Sequence, residues 1–338
     1  ILLKAGLSLD LADLKKVGRP ALMMSCVPAS FEILAFFLFA PRIMGIRPVE
    51  AAVMGAVLGA VSPAVVIPRM VQLMESGYGT DKRIPQLIMA GASCDDIFVI
   101  VLFSTFVGMA QGGTADASDF AAIPISIVLG IVQGAAVGYG VSLFFERAYR
   151  QGDYVRNSMK VILVLGVSFL LMAAEDRLEG KVPVSGLLAV VSMACAIRIK
   201  SIPAVTRRLS EKFGKLWLAA EILLFVLVGA AVDIRYTLAA GGAAVLMIAL
   251  ALLFRSAGVA LCLMRTELTG KERLFCVIAY LPKATVQAAI GSVPLAMGLP
   301  CGQMVLSVAV LAIFITAPLG AAGMDLSYRR LLKNCREI

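Results

Sequence analysis

The fold is decided by the stretch Gly91-Ala92-Ser93-Cys94-Asp95-Asp96-Ile97, which places two adjacent carboxylates inside an apolar run from Ile84 to Ala110. That run is long enough to cross a lipid bilayer, which takes ~20 residues. A charged side chain at membrane depth costs ~2.5 kcal/mol or more, so two in succession need a function. The pattern predicts an ion or proton site facing the protein interior. The alternative is a helix end at the membrane interface, but apolar sequence continues on both sides and favours the interior site.

The composition is that of an integral membrane protein. The 338 residues are 60% hydrophobic and 16% charged, whereas soluble domains have about 45–50% apolar and about 25% charged residues. We attribute the net charge of +9 to basic loops at the membrane surface and expect no nucleic-acid partner. Histidine is absent, so proton chemistry must use carboxylates or lysine. The seven cysteines show no paired spacing and are interpreted as small hydrophobic residues.

Ten apolar runs follow a short N-terminal segment over residues 1–9 and predict ten membrane helices. They are too long for membrane strands and lack strict alternation. Because the sequence opens at Ile1 inside an apolar segment, we expect one or more further helices upstream. The ten runs cover residues of about 20–40, 49–68, 84–110, 121–146, 158–175, 183–199, 214–233, 237–264, 273–297 and 302–322.

Basic residues are concentrated in alternate loops between these runs. Lys82 and Arg83 lie in one of the basic loops, and Arg329 and Arg330 lie in the C-terminal tail of the same set. Since basic loops remain on the cytoplasmic side, this pattern predicts a multi-pass protein with a cytoplasmic C-terminus. We expect the plasma (inner) membrane.

Two apolar runs are interrupted by proline in corresponding ways. Ser62-Pro63 interrupts the run 49–68, and Leu281-Pro282-Lys283 interrupts the run 273–297. Proline inside a helix removes a backbone hydrogen bond and frees carbonyls, and unwound backbone at membrane depth is tolerated only where it lines a cavity or is buried in protein. The loop charges give the two runs opposite orientations. The matched pair therefore predicts an inverted repeat with a transport site at the two breaks, although ordinary kinks are the alternative.

Buried charges must be paired or serve an ion path. Adjacent helix positions differ by ~100°, so one aspartate lines a cavity while the other pairs with a cation. We assign Asp96 as the carboxylate that exchanges ions and protons, and Asp95 as its charge-balancing neighbour, with the reverse assignment left open. Glu32 and Arg255 are candidates for an intramembrane salt bridge. Lys283, beside Pro282, has either a structural role at the helix ends or a direct one in transport.

Three motifs carry a resemblance to a known family. They are Gly59-Ala60-Val61-Ser62-Pro63-Ala64-Val65-Val66-Ile67-Pro68, Ser93-Cys94-Asp95-Asp96-Ile97 and Leu281-Pro282-Lys283-Ala284-Thr285-Val286-Gln287-Ala288-Ala289-Ile290-Gly291. Together they resemble the cation:proton antiporter superfamily, and most closely the two-aspartate sodium/proton exchangers of the animal NHA type and their bacterial relatives.

The resemblance implies an all-α, polytopic, inverted-repeat antiporter fold with two crossing discontinuous helices, and a homodimer. It implies one transporter domain over 1–322, with core repeats at about 20–110 and 237–322, partly dimer-forming or scaffold helices over 121–233, and a short cytoplasmic tail, 323–338. Asp96 matches the cation-binding aspartate of the family and Asp95 its neighbour. Arg255 falls where related transporters carry a basic residue opposite the aspartates, and Glu32 is its partner in the NHA-type subgroup.

The expected function is exchange of Na⁺ or Li⁺ for H⁺ by alternating access, contributing to pH homeostasis. The cation and the proton compete for Asp96, and hydroxyls and freed carbonyls near Ser62 complete the oxygen shell. No cofactor is needed, and the partners are the two transported ions and the lipid bilayer. If Arg255 stays paired with Glu32, the exchange is electroneutral.

Two other transport functions remain open from the sequence. The family's sodium-selective bacterial members often have Thr-Asp before the break, where this chain has Ser62-Pro63-Ala64, so a K⁺/H⁺ antiporter is one alternative. A sodium-coupled organic-anion symporter is the other, since broken crossing helices also occur there. An intramembrane enzyme is disfavoured, because histidine is absent and both aspartates share one helix.

Overall fold

The computed structural model describes residues 18–111, 117–150, 156–178, 184–231 and 241–335, together with Leu3, Gly6 and Leu7. Within those ranges every regular element is a helix, and β structure is limited to one isolated bridge between Tyr78 and Asn334. Of the predicted N-terminal segment over 1–9, Leu3, Gly6 and Leu7 are described, and the other six residues lie outside the described part of the chain.

The described helices are numbered here in chain order. They are α1 (Arg19–Met24), α2 (Val27–Met44), α3 (Pro48–Leu58), α4 (Pro63–Ser76), α5 (Ile84–Gln111), α6 (Ala117–Arg150), α7 (Asn157–Leu178), α8 (Gly186–Lys200), α9 (Pro203–Ala231), α10 (Gly241–Cys262), α11 (Gly270–Ala279), α12 (Thr285–Gly291), α13 (Val293–Ala296) and α14 (Gly302–Leu331).

Eight segments of the described chain are long and apolar enough to cross a membrane, which confirms the all-α polytopic class. Two of the ten predicted spans are not among them. The run predicted over 183–199 forms α8, which has only 15 residues. The run 273–297 is divided into α11, α12 and α13. The eight segments are Arg19–Met44, Pro48–Ser76, Ile84–Gln111, Val128–Ala148, Ser158–Glu175, Val205–Ala231, Gly241–Cys262 and Gly302–Leu331.

Pro63 and Pro282 separate helical segments rather than kinking continuous helices. Pro63 is the first residue of α4, where its missing N–H costs nothing because the first N–H groups of a helix have no intrahelical partner. Pro282 lies in the irregular stretch between α11 and α12. A third interruption, at Ser25 and Cys26, separates α1 from α2 within the run predicted as continuous over 20–40. Pro28 lies in the first turn of α2 and accounts for this start.

The last helix is longer than its apolar run. It continues to Leu331, past the predicted end at 322, so much of the segment predicted as a tail is helical. Apolar burial of Met324 and contacts to residues of α4 and its following loop hold this extension. Asp325 accepts a 2.9 Å hydrogen bond from Arg69 of α4, and the ring of Tyr328 packs edge-on against Tyr78 at 5.0 Å.

The chain divides into two compact units. The first contains α6, α7, α8 and most of α9, and its core is built from residues such as Val164, Met193 and Ala194. The second contains α1–α5, the end of α9 and α10–α14. In that unit α2 packs along α10 and α3, and α3 packs against α5. The predicted scaffold and dimer role of residues 121–233 stays a prediction.

Candidate functional site

The two interrupted helices meet at their breaks, inside the second unit. The backbone N–H of Ser62 donates a 2.8 Å hydrogen bond to the carbonyl of Pro282. The proline ring packs on α14 at Gly320, where a Cβ would overlap the ring. Buried backbone polar groups need partners, and here the N–H of the first break and the carbonyl of the second break satisfy each other. Ser62, Pro63 and Pro282 therefore all lie at the crossing.

Arg255 of α10 connects the breaks to the acidic residues. Its Nη1 donates to the Glu32 carboxylate at 2.7 Å and also to the carbonyl of Gly59. Its Nη2 donates to Asp95 Oδ2 at 3.0 Å, and its Nε donates to the carbonyl of Tyr280 at 2.6 Å. The side chain is fully buried. One guanidinium thus binds a freed carbonyl at each break and a carboxylate on each of two further helices.

Glu32 is shared between two cations. Its Oε2 accepts the bond from Arg255 and a 2.6 Å bond from Lys283 Nζ. The backbone N–H of Lys283 donates to Thr316 Oγ1 on α14 at 2.9 Å. The side chains of Glu32 and Lys283 are almost fully buried. Lys283 therefore pairs with a carboxylate, in addition to lying at the helix ends where the sequence placed it.

The two aspartates differ in surroundings, although they are neighbours in α5. Asp95 is fully buried, and its Oδ2 accepts bonds from Arg255 and from the backbone N–H of Val61 at 2.8 Å. The other oxygen of Asp95 accepts no hydrogen bond from the described residues. Asp96 is 5% exposed. The structure thus brings Asp95 into the ion-pair network of Arg255 and Glu32, with Asp96 next to it in α5.

Gln287 fills a role that sequence reasoning did not assign. Its Nε2 donates to the carbonyls of Ala60 at 2.8 Å and Leu58 at 3.4 Å. Its Oε1 accepts the N–H of Ala284 at 2.9 Å. One buried amide thus bonds the backbone of both breaks. The available signal was an amide side chain in the mainly apolar sequence after Pro282, where Lys283 and Thr285 are also polar.

The carbonyls before Ser62 are therefore largely occupied. Leu58 and Ala60 accept from Gln287, and Gly59 accepts from Arg255. The Ser62 hydroxyl is fully buried and makes no hydrogen bond within the described chain. Among the oxygens proposed as cation ligands near the first break, the Ser62 hydroxyl is therefore one that Gln287 and Arg255 leave available.

Comparison with known proteins gives a consistent picture. Residues 1–324 match the sequence model of a family described as sodium/hydrogen exchanger, transmembrane. Sodium/hydrogen exchanger 9B2 of Mus musculus is 35% identical over 343 residues, covering 98% of this chain and 61% of the relative. Sodium/hydrogen exchanger 9B1 of Homo sapiens is 33% identical over 356 residues, covering 98% of this chain and 65% of the relative. The chain spans about three fifths of the length of the curated relatives it matches.

The fold is that of a solved antiporter. The structure of the sodium proton antiporter MjNhaP1 from Methanocaldococcus jannaschii at pH 8 superposes with a TM-score of 0.81. It is 18% identical in sequence, and the match covers 98% of this chain and 83% of the other. This match confirms the predicted antiporter fold.

Proposed function

Because this chain belongs to the sodium/hydrogen exchanger family, we propose that it exchanges Na⁺ or Li⁺ for H⁺ across a membrane by alternating access. The observation that carries the proposal is the network at the crossing of the two breaks. Arg255 and Lys283 bind Glu32, and Arg255 also binds Asp95, with all four side chains buried. Asp96 follows Asp95 in the same helix.

The formal charges support a carboxylate that must bind an exchangeable cation. Glu32 and Asp95 carry two negative charges, and Arg255 and Lys283 carry two positive charges. Adding Asp96 gives the five groups one net negative charge. A net charge at membrane depth is costly, so the group favours binding one proton or one monovalent cation. Competition between these two ligands at one carboxylate couples their fluxes.

The ligand set that fits a hard monovalent cation consists of oxygen atoms. The Asp96 carboxylate supplies the charge, and the Ser62 hydroxyl supplies a neutral oxygen that makes no hydrogen bond within the described chain. Because Arg255 and Gln287 already donate to the carbonyls of residues 58–60, we expect water to supply the remaining oxygens of the shell.

The ion pairs of the two basic residues support electroneutral exchange. Arg255 lies between Glu32 and Asp95, and Lys283 is bonded to Glu32. A basic residue that stays ion-paired through the cycle releases no proton. One proton then leaves Asp96 for each cation that binds, and we expect the rate to be independent of membrane potential.

Transport in proteoliposomes tests the proposal. Addition of NaCl or LiCl should dissipate an imposed pH gradient with the native chain, and Asp96→Asn should abolish this response. Asp325→Asn is the matched control, because Asp325 is an exposed carboxylate paired with Arg69. Retained exchange in Asp96→Asn contradicts the assignment. A gradient that responds to K⁺ alone would identify a K⁺/H⁺ antiporter, and one insensitive to all three metal ions would favour an organic-anion symporter.

We also propose a homodimer in the plasma (inner) membrane with a cytoplasmic C-terminus. The concentration of basic residues in alternate loops supports this orientation, and the family resemblance supports the dimer. A C-terminal epitope should be accessible to antibody only after the cytoplasmic face is exposed. Native mass spectrometry of the full chain should show two copies, and a monomer at low detergent would contradict the dimer.

A further inference from the structure

Tyr280 contacts Arg255 in two independent ways. It follows the last residue of α11, where the second break begins. Its carbonyl accepts the 2.6 Å bond from Arg255 Nε, and its ring centroid lies 5.6 Å from the guanidinium carbon. A guanidinium over an aromatic face is attracted by the ring quadrupole. One residue of the break therefore restrains Arg255 through its backbone and its side chain together.

The other end of the Tyr280 side chain reaches the helix that carries the aspartates. The hydroxyl lies against the backbone of α5 at Gly91, where a Cβ would overlap it. Gly91 is four positions, about one turn, before Asp95. The side chain is fully buried, and its hydroxyl makes no hydrogen bond in the part of the chain that the structure describes. The hydroxyl therefore contributes length at this contact and no polar bond with the described residues, although an unpaired buried hydroxyl is unfavourable.

From this geometry we propose that Tyr280 is a positioning residue for ion exchange. It spans the space between Gly91 and Arg255, and so fixes the guanidinium against Asp95. Displacement of the second break relative to α5 then moves Arg255 relative to the aspartates. The inference rests on the proposed exchange function, because it assigns Tyr280 a part in setting the charge around the exchanging carboxylate.

Several ionisable groups surround this contact and belong to its electrostatics. Arg255 faces Glu32 and Asp95 directly. The others act on Tyr280, Asp95 or their neighbours by charge or hydrogen bond: they are Asp96 and Cys94 of α5, Cys262 of α10, Cys276 of α11 and Lys283 of the second break.

Removal of the ring is the first test. Tyr280→Leu keeps the carbonyl but loses the aromatic face, so Arg255 is held less firmly and its charge acts less on the aspartates. They then stay protonated to higher pH, and the pH of half-maximal Na⁺- or Li⁺-driven exchange should rise by about half a unit or more. Tyr280→Phe retains the ring but loses the contact of the hydroxyl with Gly91, so it should shift the profile in the same direction by less than Tyr280→Leu.

The contact at Gly91 provides a second, more specific test. Gly91→Ala inserts a methyl group where the hydroxyl lies, which pushes the ring away and should shift the profile in the same direction. Combining it with Tyr280→Phe removes the overlapping hydroxyl and should restore the native profile. A general packing defect at Gly91 would not be rescued by the loss of one oxygen atom.

A thermal double-mutant cycle gives a readout that does not depend on transport. Because Tyr280 acts through Arg255 on Asp95, the losses of Tm in Tyr280→Leu and Asp95→Asn should be non-additive in detergent. Additive losses, or unchanged profiles in both Tyr280→Leu and Gly91→Ala, overturn the inference. The exchange function is decided separately by Asp96→Asn, so failure of one proposal is distinguishable from failure of the other.

Discussion

Arg255 satisfies four acceptors with one side chain, and its planar fork is what allows this. Two of the acceptors are carboxylates, of Glu32 and Asp95, and two are carbonyls, of Gly59 and Tyr280. An ammonium group is a compact point charge with three donors on a flexible stem, and it cannot reproduce this directional set.

Substitution of Arg255 by lysine should therefore be costly although the charge is kept. Arg255→Lys leaves buried acceptors without donors, and we expect a loss of about 3 kcal/mol or more in stability. The measurement is thermal unfolding in detergent. Arg207→Lys is the control, because Arg207 is 84% exposed and pairs with Glu211 within one helix. Equal Tm values for the two variants would show that the four hydrogen bonds of Arg255 do not require a guanidinium.

Substitution of Gln287 should also reduce stability more than substitution of an exposed glutamine. Gln287→Leu keeps a similar volume but leaves two carbonyls and one N–H at the breaks without their bonds. An unsatisfied buried group costs about 1–3 kcal/mol, so the expected loss of stability is about 2 kcal/mol, read as a fall in Tm. Gln72→Leu, on an exposed position of α4, should change Tm little. A similar small effect for Gln287→Leu would show that other donors replace the amide.

The sequence singled out the charged residues that the structure brings together, and Ser62 and the two prolines at the breaks, but not Gln287 or Tyr280. Asp95 and Arg255 stand out because a charge in an apolar run has few explanations. Gln287 and Tyr280 carry no such signal, since amides and aromatic residues occur in membrane helices for many reasons. The carbonyls of the first break could be predicted to be free, but not that Gln287 and Arg255 bind them, because those donors come from distant parts of the chain.

At the scale of helices, the crossing depends on how closely α14 approaches the second break. Pro282 packs where Gly320 has no side chain. The proline ring is rigid, and it belongs to the same residue whose carbonyl accepts from Ser62. A side chain at residue 320 therefore acts on the bond that joins the two breaks.

Two glycine-to-alanine changes should consequently have opposite effects. Gly320→Ala overlaps Pro282 and should destabilise the protein by about 1–3 kcal/mol, with reduced exchange. Gly108→Ala introduces a methyl group that meets nothing within 4 Å, and replacing a helical glycine there should stabilise by about 0.5–1 kcal/mol. Thermal unfolding of both variants checks this, and destabilisation by both would remove the special role of residue 320.

Helix breaks were predicted where proline lies in the middle of an apolar run. Pro63 and Pro282 meet this condition, and both breaks are present. The interruption at Ser25 and Cys26 was missed, because Pro28 lies near the start of its run and is compatible with the first turn of a helix. Proline position thus predicted the long breaks and not the short one.

At the scale of the whole chain, the C-terminal segment is bonded to the loop that precedes the aspartate helix. The backbone N–H of Gly79 donates to the carbonyl of Lys333 at 2.8 Å, and the backbone N–H of Cys335 donates to the carbonyl of Gly77 at 2.9 Å. The same loop carries Lys82, whose 2.8 Å bond to Glu272 raises the pKa of the lysine above its ordinary value. Residues 77–83 are thus tied both to the C-terminal segment and to the start of α11.

Truncation should reveal the contribution of the C-terminal segment. Ending the chain after Leu331 removes the two backbone hydrogen bonds to residues 77–79, the bond from Leu332 to Tyr328 and the nearly buried side chain of Leu332, and we expect a loss of about 2–4 kcal/mol. Ending it after Cys335 keeps these contacts and should leave Tm unchanged. Equal Tm values for the two truncated chains would show that residues 332–335 add no stability.

The separation of Arg255 from its partners along the chain has a consequence for biosynthesis. Asp95 precedes Arg255 by 160 residues, and Glu32 precedes it by 223. At ~5–20 residues per second, the ribosome needs roughly ten to thirty seconds to make the stretch between Asp95 and Arg255. The acidic helices are therefore inserted before their counter-charge has been synthesised. During that interval the carboxylates must be protonated, hydrated or shielded by the insertion machinery, so assembly of this site is a late event in the maturation of the chain.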